Sequence, residues 1–471
     1  MAMHIPSNVT SLTTDSRKVT VGTLFCAVKG VNQDGAEYIS QAIAQGAVAV
    51  LSRVGVHVPE GVAHLVATND RLAVAKLAAQ FYQPQPRYTV AVTGTDGKTS
   101  TADFFRQLME LCGKKAASLG TLGLKSNTVE VDAPALNTSP DPIVLHETLQ
   151  KIAQQGGEYV ALEASSHGLH QYRMHGLELN AAAFTNLGRD HLDYHHTIDE
   201  YFAAKMILFT ELLGEGKTAV IFADDPRAKE VEDICKNRNQ RVTRYGSQGE
   251  IIVRSLQPLT TGMAATLEVF GKTYETKLAM IGDFQLLNIC AALGLAIGCG
   301  FAPEELMPHL PALRSVRGRL EFAGETTQGS AIYVDYAHTP AALEKALQVM
   351  RKHCTGKLAV VFGCGGDRDK GKRPEMGKVA CTLADRVYIA DDNPRSERPE
   401  VIRAEVMAGC DAKARNIGDR AQAIAAAVAE LASGDILLIA GKGHETYQLI
   451  GKEVLHFDDV EEVQKIVGKH G

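Results

Sequence analysis

The sequence predicts an α/β protein of three domains. These are a small N-terminal α/β domain, a central parallel sheet carrying a phosphate-binding loop and an added β portion, and a C-terminal domain of alternating strands and helices. Three observations lead there. At ~150 residues per domain, 471 residues make about three. Apolar strand-like runs alternate with helix-like segments along most of the chain, the pattern of right-handed βαβ crossovers. Two breaks, Pro84-Gln85-Pro86 and Ser315–Gly318, divide the chain into 1–88, 89–316 and 317–471.

Composition narrows the class. Apolar residues make up 45% and charged residues 22%, as in soluble globular proteins. A net charge of −6 argues against a nucleic-acid surface, and the densest basic stretch, Arg368–Arg373, is broken by Asp369 and preceded by Asp367. The longest apolar stretch, around Ala291–Ala302, contains glycines and is too short to span a membrane. No leader peptide is expected. Nine cysteines without a C-x-x-C pair fit free thiols in a reducing cytoplasm, with neither a disulfide frame nor a zinc cage. Cys290 and Cys299 read as small buried hydrophobes.

In the N-terminal domain, Leu24–Val28 and Ala47–Leu51 read as strands and Ala36–Gln45 as a helix. A second helix, Arg71–Tyr82, sets Leu72, Ala75, Ala79 and Tyr82 on one face. The central domain opens on an alternating strand with Tyr88, Val90 and Val92, then a glycine turn, then a helix from Thr99 to Cys112. Such a turn points successive backbone N–H groups at an anion held on a helix N-terminus. Lys98 is placed to reach the outer phosphates of ATP and the Thr99 hydroxyl to ligate Mg²⁺. The spacing is the short Gly94-x-x-Gly97-Lys98-Thr99, with Val92 where the longer pattern has a glycine; an ordinary tight turn is the alternative. Further strands are expected at Tyr159–Leu162, Ala181–Phe184 and Ala219–Phe222, an antiparallel insertion at Arg241–Ala279, and a helix at Phe284–Gly298.

Four C-terminal strands, Ile332–Asp335, Leu358–Phe362, Val387–Ala390 and Ile436–Ala440, each run into a polar loop. The loops are Asp335–His338, Gly363–Arg368, Asp391–Arg395 and Gly441–Glu445. In an open, Rossmann-like sheet, ligands bind outside the carboxyl ends of the strands. Four loaded loops at one edge indicate a binding site.

Other residues carry chemistry singly. Glu163 ends a strand beside the phosphate loop, where a carboxylate can ligate Mg²⁺ or simply start a helix in solvent. The segment Arg189–His196 is rich in His and Asp but lacks the partners of a zinc site; a polar turn lending one His to Mg²⁺ is the better reading. Lys205 sits in the apolar segment Tyr201–Phe209. Its residues alone favour an amine reaching solvent over a buried neutral amine able to form a carbamate. Arg319-Leu320-Glu321 reads equally well as a surface pair.

Together these motifs resemble the Mur ligases, ATP-dependent amide-forming enzymes of peptidoglycan precursor synthesis. The likeness rests on Thr93–Thr99, Asn137-Thr138-Ser139-Pro140, Glu163–Leu169, Thr185–Asp193 and the four loops, and runs through all three domains. It implies ATP held by Gly94, Thr95, Asp96, Gly97, Lys98, Thr99, Ser100, Asn288, Arg319 and Asp335. Mg²⁺ would be held by Thr99, Glu163, His191 and Lys205, the last as a carbamate, which reverses the reading from its neighbours. Lys98, Glu163, His191 and Lys205 would form the catalytic set. A UDP-muramoyl-dipeptide would lie on Ser16, Asn32, Gln33, Asn137, Thr138, Ser139, Ser165, Gln171 and Arg173.

The resemblance is strongest to members that add meso-diaminopimelate, which Arg368, Asp392, Asn393, Pro394, Arg395, Gly441 and Glu445 would bind. The physics agrees: a guanidinium at Arg395 suits the distal carboxylate of that amino acid and repels the ammonium of lysine. A folylpolyglutamate synthetase-like ligase and a P-loop ATPase driving a partner are the alternatives. A cytoplasmic monomer is expected, with no nucleic acid and no membrane span. Two positions depart from the family pattern, Asp96 and Gln285, each where Asn is usual.

Overall fold

The computed structural model describes residues 3–30, 33–132, 138–259 and 261–468. They fall into two compact units, one of residues 1–252 with 288–306 and one of 253–287 with 307–471. The first holds the expected boundary near residue 88, the second that near 316.

The first unit contains two sheets. The N-terminal one is parallel, in the order Ser11–Thr13, Thr23–Cys26, Ala47–Arg53, Ala63–Ala67. Thr23–Cys26 is buried on every residue, as an apolar run covered on both faces should be. The segment expected as one helix at Ala36–Gln45 starts as a 3₁₀ turn, Gly35–Tyr38, capped by Asp34, and continues as the α-helix Ile39–Ala44. The helix Asp70–Phe81 is capped by Asn69. Its buried surface is wider than the single predicted stripe, because Ala73, Val74, Leu77 and Ala78 share a core with both the sheet and Ile143 of the helix Pro142–Gln154. Leu72 and Tyr82 are only half-buried.

The second sheet sets the phosphate loop. Within the unit its strands run, in order, Arg241–Gly246, Thr218–Phe222, Leu179–Phe184, Tyr88–Thr93, Tyr159–Glu163, Ala116–Gly120 and Gly123–Lys125. Arg241–Gly246 pairs in parallel with Thr218–Phe222, so the antiparallel region begins later than expected. The helix Ala228–Asn237 is the crossover that makes it parallel, which strand alternation alone does not reveal. The strand ending in the phosphate loop lies between two others in matched register, Val92 opposite Glu163 and Thr93 opposite Phe184. Three carboxyl ends are thereby brought level.

The second unit has an antiparallel hairpin, Gly262–Val269 with Lys272–Leu278. Its main sheet has the order Glu321–Glu325, Ala331–Asp335, Ile436–Ala440, Leu358–Phe362, Arg386–Ile389, Ala414–Asn416. All pairings are parallel except that of the first strand. Asp335 and Phe362 both stand opposite Ala440, so the loops that follow them share one edge. A short hairpin, Tyr447–Ile450 with Glu453–His456, follows the last loop and was not expected. Among the described residues no helix is long and apolar enough to cross a membrane.

Candidate active site

Two groups of residues, one in each unit, hold the predicted chemistry. In the first unit the phosphate loop hands over to the helix Lys98–Leu111, whose first turn has no side-chain cap at Gly97 among the described residues and so leaves its N–H groups for an anion. Gly97 has φ +86, and a Cβ there would strike Asn288 Oδ1, so both conformation and space require glycine. Lys98 Nζ donates to the carbonyls of Gly94 (3.0 Å) and Thr95 (2.7 Å) and therefore lies over the loop. Thr185 Oγ1 donates to the Asp96 carbonyl at 2.6 Å, and the Asp96 N–H donates to Asn186 Oδ1 at 2.9 Å. The loop is thus held from the neighbouring strand end, and Asp96 in place of Asn leaves its backbone path supported.

Glu163 is 3% exposed. Its carboxylate accepts from Thr99 Oγ1 at 2.9 Å, from the Thr121 N–H at 2.8 Å and from Thr121 Oγ1 at 3.2 Å. Burial pushes its pKa up, opposed first by the Lys98 cation. A carboxylate and a hydroxyl side by side at the mouth of a phosphate loop are hard oxygen donors of the kind Mg²⁺ takes. His191 has φ +52 and is exposed; its ring meets that of His167 edge-on at 4.9 Å, and its Nε2 is 3.5 Å from Asp190 Oδ2. Among the described residues no group of three or more His, Cys, Asp or Glu is arranged to hold a metal ion.

Lys205 does not reach solvent. It is 1% exposed, in the helix Ile198–Ile207, which ends in the π turn Leu208–Leu212. Its Nζ donates to the Gly94 carbonyl at 2.7 Å and stands 4.1 Å from the centre of the Tyr201 ring. Burial, with the Lys98 charge second, brings its pKa down to about 6. The local sequence misled because Lys205 lies on the buried side of its helix, between the Tyr201 ring and the Gly94 carbonyl, while Ala203 takes the exposed side.

The residues expected to meet a peptide substrate form one hydrogen-bonded run. Ser139 Oγ donates to the Glu163 carbonyl at 2.9 Å and accepts from the Ser165 N–H at 3.0 Å. Arg173 donates to the Ser139 carbonyl and to Gln171 Oε1, both at 2.8 Å. Gln171 in turn donates to the Tyr194 hydroxyl at 3.1 Å. The hydroxyls of Thr138 and Thr121 are 3.1 Å apart. Thr121, unnoticed in the sequence, and Tyr194, within the segment Arg189–His196 but given no role there, belong to this run; a hydroxyl by itself gives no signal. Ser16 is buried in the 3₁₀ turn Ser16–Lys18, and the Gln33 carbonyl accepts from the Gly30 N–H at 2.8 Å. Asn32 and Asn137 lie outside the described residues.

In the second unit, Asp335 is half-buried and accepts from the N–H groups of Leu320 and Ala337, each at 2.8 Å; desolvation raises its pKa. The Arg319 guanidinium lies 5.4 Å from the Tyr336 ring centre, and the Arg319 carbonyl accepts from Gln285 Nε2 at 3.1 Å. Glu321 is taken up by the Gly318 N–H at 2.8 Å. Asn288 belongs to the first unit.

Three of the polar loops interlock. Arg395, at φ +51, donates to the Gly366 carbonyl at 2.8 Å, while the Gly366 N–H donates to the Asn393 carbonyl at 2.9 Å. The Pro394 carbonyl lies where a side chain at 366 would go. Asp392 is 8% exposed, with Gly441 (φ +114) so close that a Cβ would come within 2.7 Å of its carboxylate. Glu445 accepts from Asn393 Nδ2 at 2.7 Å, and burial, then Asp392, raises its pKa. Arg368 donates to the Asp367 carbonyl at 3.3 Å. The result is a loop cluster with two guanidinium groups and two carboxylates, chemistry suited to an amino acid with charges at both ends. Two buried cations that sequence reasoning missed stand behind it, Lys442 and Arg373, the latter paired with Glu397 and Glu405.

Comparison with known proteins identifies the family. Residues 8–82 match the Mur ligase family catalytic domain, 92–296 the Mur ligase middle domain, and 318–443 the Mur ligase glutamate ligase domain. The chain is similar to proteins named UDP-N-acetylmuramoyl-L-alanyl-D-glutamate--2,6-diaminopimelate ligase. One, from Rhizobium meliloti, is 47% identical over 97% of this chain and 94% of the relative; another, from Bradyrhizobium diazoefficiens, is 48% identical over the same shares. A solved structure of that name is 33% identical with a TM-score of 0.76, covering 98% of this chain and 96% of the other. A Mycobacterium tuberculosis folylpolyglutamate synthase shares the fold at 18% identity and a TM-score of 0.63, over 79% of this chain and 91% of the other. Matches to three successive domain families along one chain, with relatives alike over nearly its whole length, establish that the chain belongs to the Mur ligase family.

Proposed function

We propose that this chain is the ATP-dependent ligase that joins meso-diaminopimelate to UDP-N-acetylmuramoyl-L-alanyl-D-glutamate in the cytoplasm, acting as a monomer. The observation that carries the reading is the placement of Glu163. Its carboxylate takes the Thr99 hydroxyl of the phosphate loop, and its backbone carbonyl takes Ser139, a residue expected on the peptide substrate. Nucleotide and acceptor are thereby served by one residue.

In this reading residues 1–88 hold the uridine end through Ser16, Asn32 and Gln33. Residues 89–316 hold ATP through Gly94 to Ser100 and Asn288, and the peptide through Asn137, Thr138, Ser139, Ser165, Gln171 and Arg173. Residues 317–471 supply Arg319 and Asp335 to the nucleotide, and Arg368, Asp392, Asn393, Pro394, Arg395, Gly441 and Glu445 to the amino acid. Lys98 orients and neutralises the γ-phosphoryl group as it passes to the γ-carboxylate of the D-glutamyl residue, giving an acyl phosphate and ADP. The amine of diaminopimelate attacks the acyl carbon, and phosphate leaves from the tetrahedral intermediate. Mg²⁺, when bound by Thr99, Glu163, His191 and a carbamate on Lys205, would add charge neutralisation at the phosphates.

The test is ADP release by the full chain with each substrate omitted in turn. Release is expected only with both UDP-muramoyl-dipeptide and diaminopimelate present. Equal turnover with ATP alone would reject a ligase, and equal use of lysine would reject the amino-acid assignment.

A further inference from the structure

We infer that Lys442 is the residue that orients the amino-acid pocket: acting through Asn393, it fixes the Glu445 carboxylate as an ammonium acceptor for a substrate with two amino and two acid groups. The inference deepens the amino-acid assignment proposed above and rests on it.

Lys442 is fully enclosed, in the loop after the strand Ile436–Ala440. Its Nζ donates to Asn393 Oδ1 at 3.3 Å and to the Tyr447 carbonyl, and stands 3.8 Å from Glu445 Oε2. An ammonium has three donors and no acceptor, so every polar neighbour must present oxygen. Asn393 Oδ1 also accepts from the Leu449 N–H at 3.0 Å. Two donors on that oxygen leave the amide only one way round, since a flip would set its NH₂ against an ammonium and an N–H. Nδ2 is thereby turned to Glu445 Oε2, to which it donates at 2.7 Å.

The charges have the same sense. Asp392 and Glu445 oppose the effect of burial on Lys442, and Lys442 in turn opposes the effect of burial on Glu445. Lys442 is one cation beside the two carboxylates of Asp392 and Glu445, so an incoming ammonium still has an acceptor at Glu445, while the guanidinium groups of Arg368 and Arg395 suit acid groups. Arg395, one step from Asn393 past Pro394, remains for the distal acid. Being enclosed, Lys442 does not touch substrate and acts as a positioning residue.

The experiment compares Lys442→Met, Glu445→Gln and the double variant in the full-length enzyme, measuring KM for diaminopimelate, KM for ATP and kcat. Lys442→Met is expected to raise KM for diaminopimelate about tenfold with KM for ATP nearly unchanged, and to add nothing to Glu445→Gln, because both act through one carboxylate. Additive effects, or a parallel rise in both KM values, would overturn it. Should Lys442→Met fail to fold, Asn393→Asp tests the same relay: it keeps an acceptor for Lys442 and Leu449 but turns oxygen toward Glu445. An unchanged KM for diaminopimelate in that variant overturns the inference. Arg395→Ala separates the two claims. If it leaves KM for diaminopimelate unchanged, the amino-acid assignment itself falls; if it raises KM while Lys442→Met does not, only the role of Lys442 falls.

Discussion

Lys205 Nζ donates to the Gly94 carbonyl across 2.7 Å, tying a helix more than a hundred residues away to the first glycine of the phosphate loop. With its pKa lowered to about 6 by burial, the amine is largely neutral at neutral pH and nucleophilic toward carbon dioxide. Carbon NMR after labelled bicarbonate is expected to show a carbamate in the native enzyme and none in Lys205→Met. That variant should lose on the order of a hundredfold in kcat and recover part of it with a short carboxylate such as formate. No labelled signal and no recovery would count against a carbamate.

Glu163→Gln keeps the shape of the side chain but removes its charge. We expect kcat to fall by on the order of a hundredfold or more, with a higher Mg²⁺ concentration for half-maximal rate. Unfolding temperature should change little, since Gln Oε1 can still accept from the Thr121 N–H while its Nε2 donates to the hydroxyls of Thr99 and Thr121. A rate near that of the native enzyme would remove Glu163 from the catalytic set.

Arg395→Ala removes a guanidinium already oriented by the Gly366 carbonyl. Losing a charge-assisted hydrogen bond to a carboxylate is expected to raise KM for diaminopimelate about 10- to 100-fold, while KM for ATP stays within about twofold. Steady-state kinetics with each substrate varied in turn decide this.

His146 predicts an acid-sensitive stability. It is enclosed; its Nε2 contacts the His175 carbonyl at 3.3 Å and its Nδ1 has no hydrogen-bond partner among the described residues, so a second proton would be a buried charge without an acceptor there. Burial lowers its pKa from 6.5 to about 4. The unfolded chain therefore binds more protons between those values, and stability rises with pH there. The contribution is complete above about pH 6.5 and is lost as pH falls toward 4, amounting to about 3 kcal/mol across the window. Denaturant titrations are expected to show the native enzyme losing about that much stability relative to His146→Leu as pH falls from about 6.5 to 4; parallel curves would be the contrary result.

Much of the site was legible because its residues sit at strand ends. Glycines at 94 and 97, Lys98 and Thr99 after a strand, and four polar loops after four apolar runs are local patterns, and the strands end within one residue of the expected positions. Residues that act through long-range contact were not legible. Thr121 and Tyr194 are ordinary hydroxyls until the fold brings them to Glu163 and Gln171. Arg241–Gly246 looked antiparallel because alternation reports which faces are buried and says nothing of strand direction.

By itself, the sequence determined the α/β class, the position and identity of the phosphate loop, and which loops carry chemistry, since these follow from residue order within a few positions. The tertiary structure alone decided what each charged group faces. Lys205 became a buried amine, Lys442 a hidden cation behind Asn393, and Glu163 the link between Thr99 and Ser139. The reason is physical: burial and partner choice depend on segments far apart in the chain, and those two quantities set the charge and direction of a side chain.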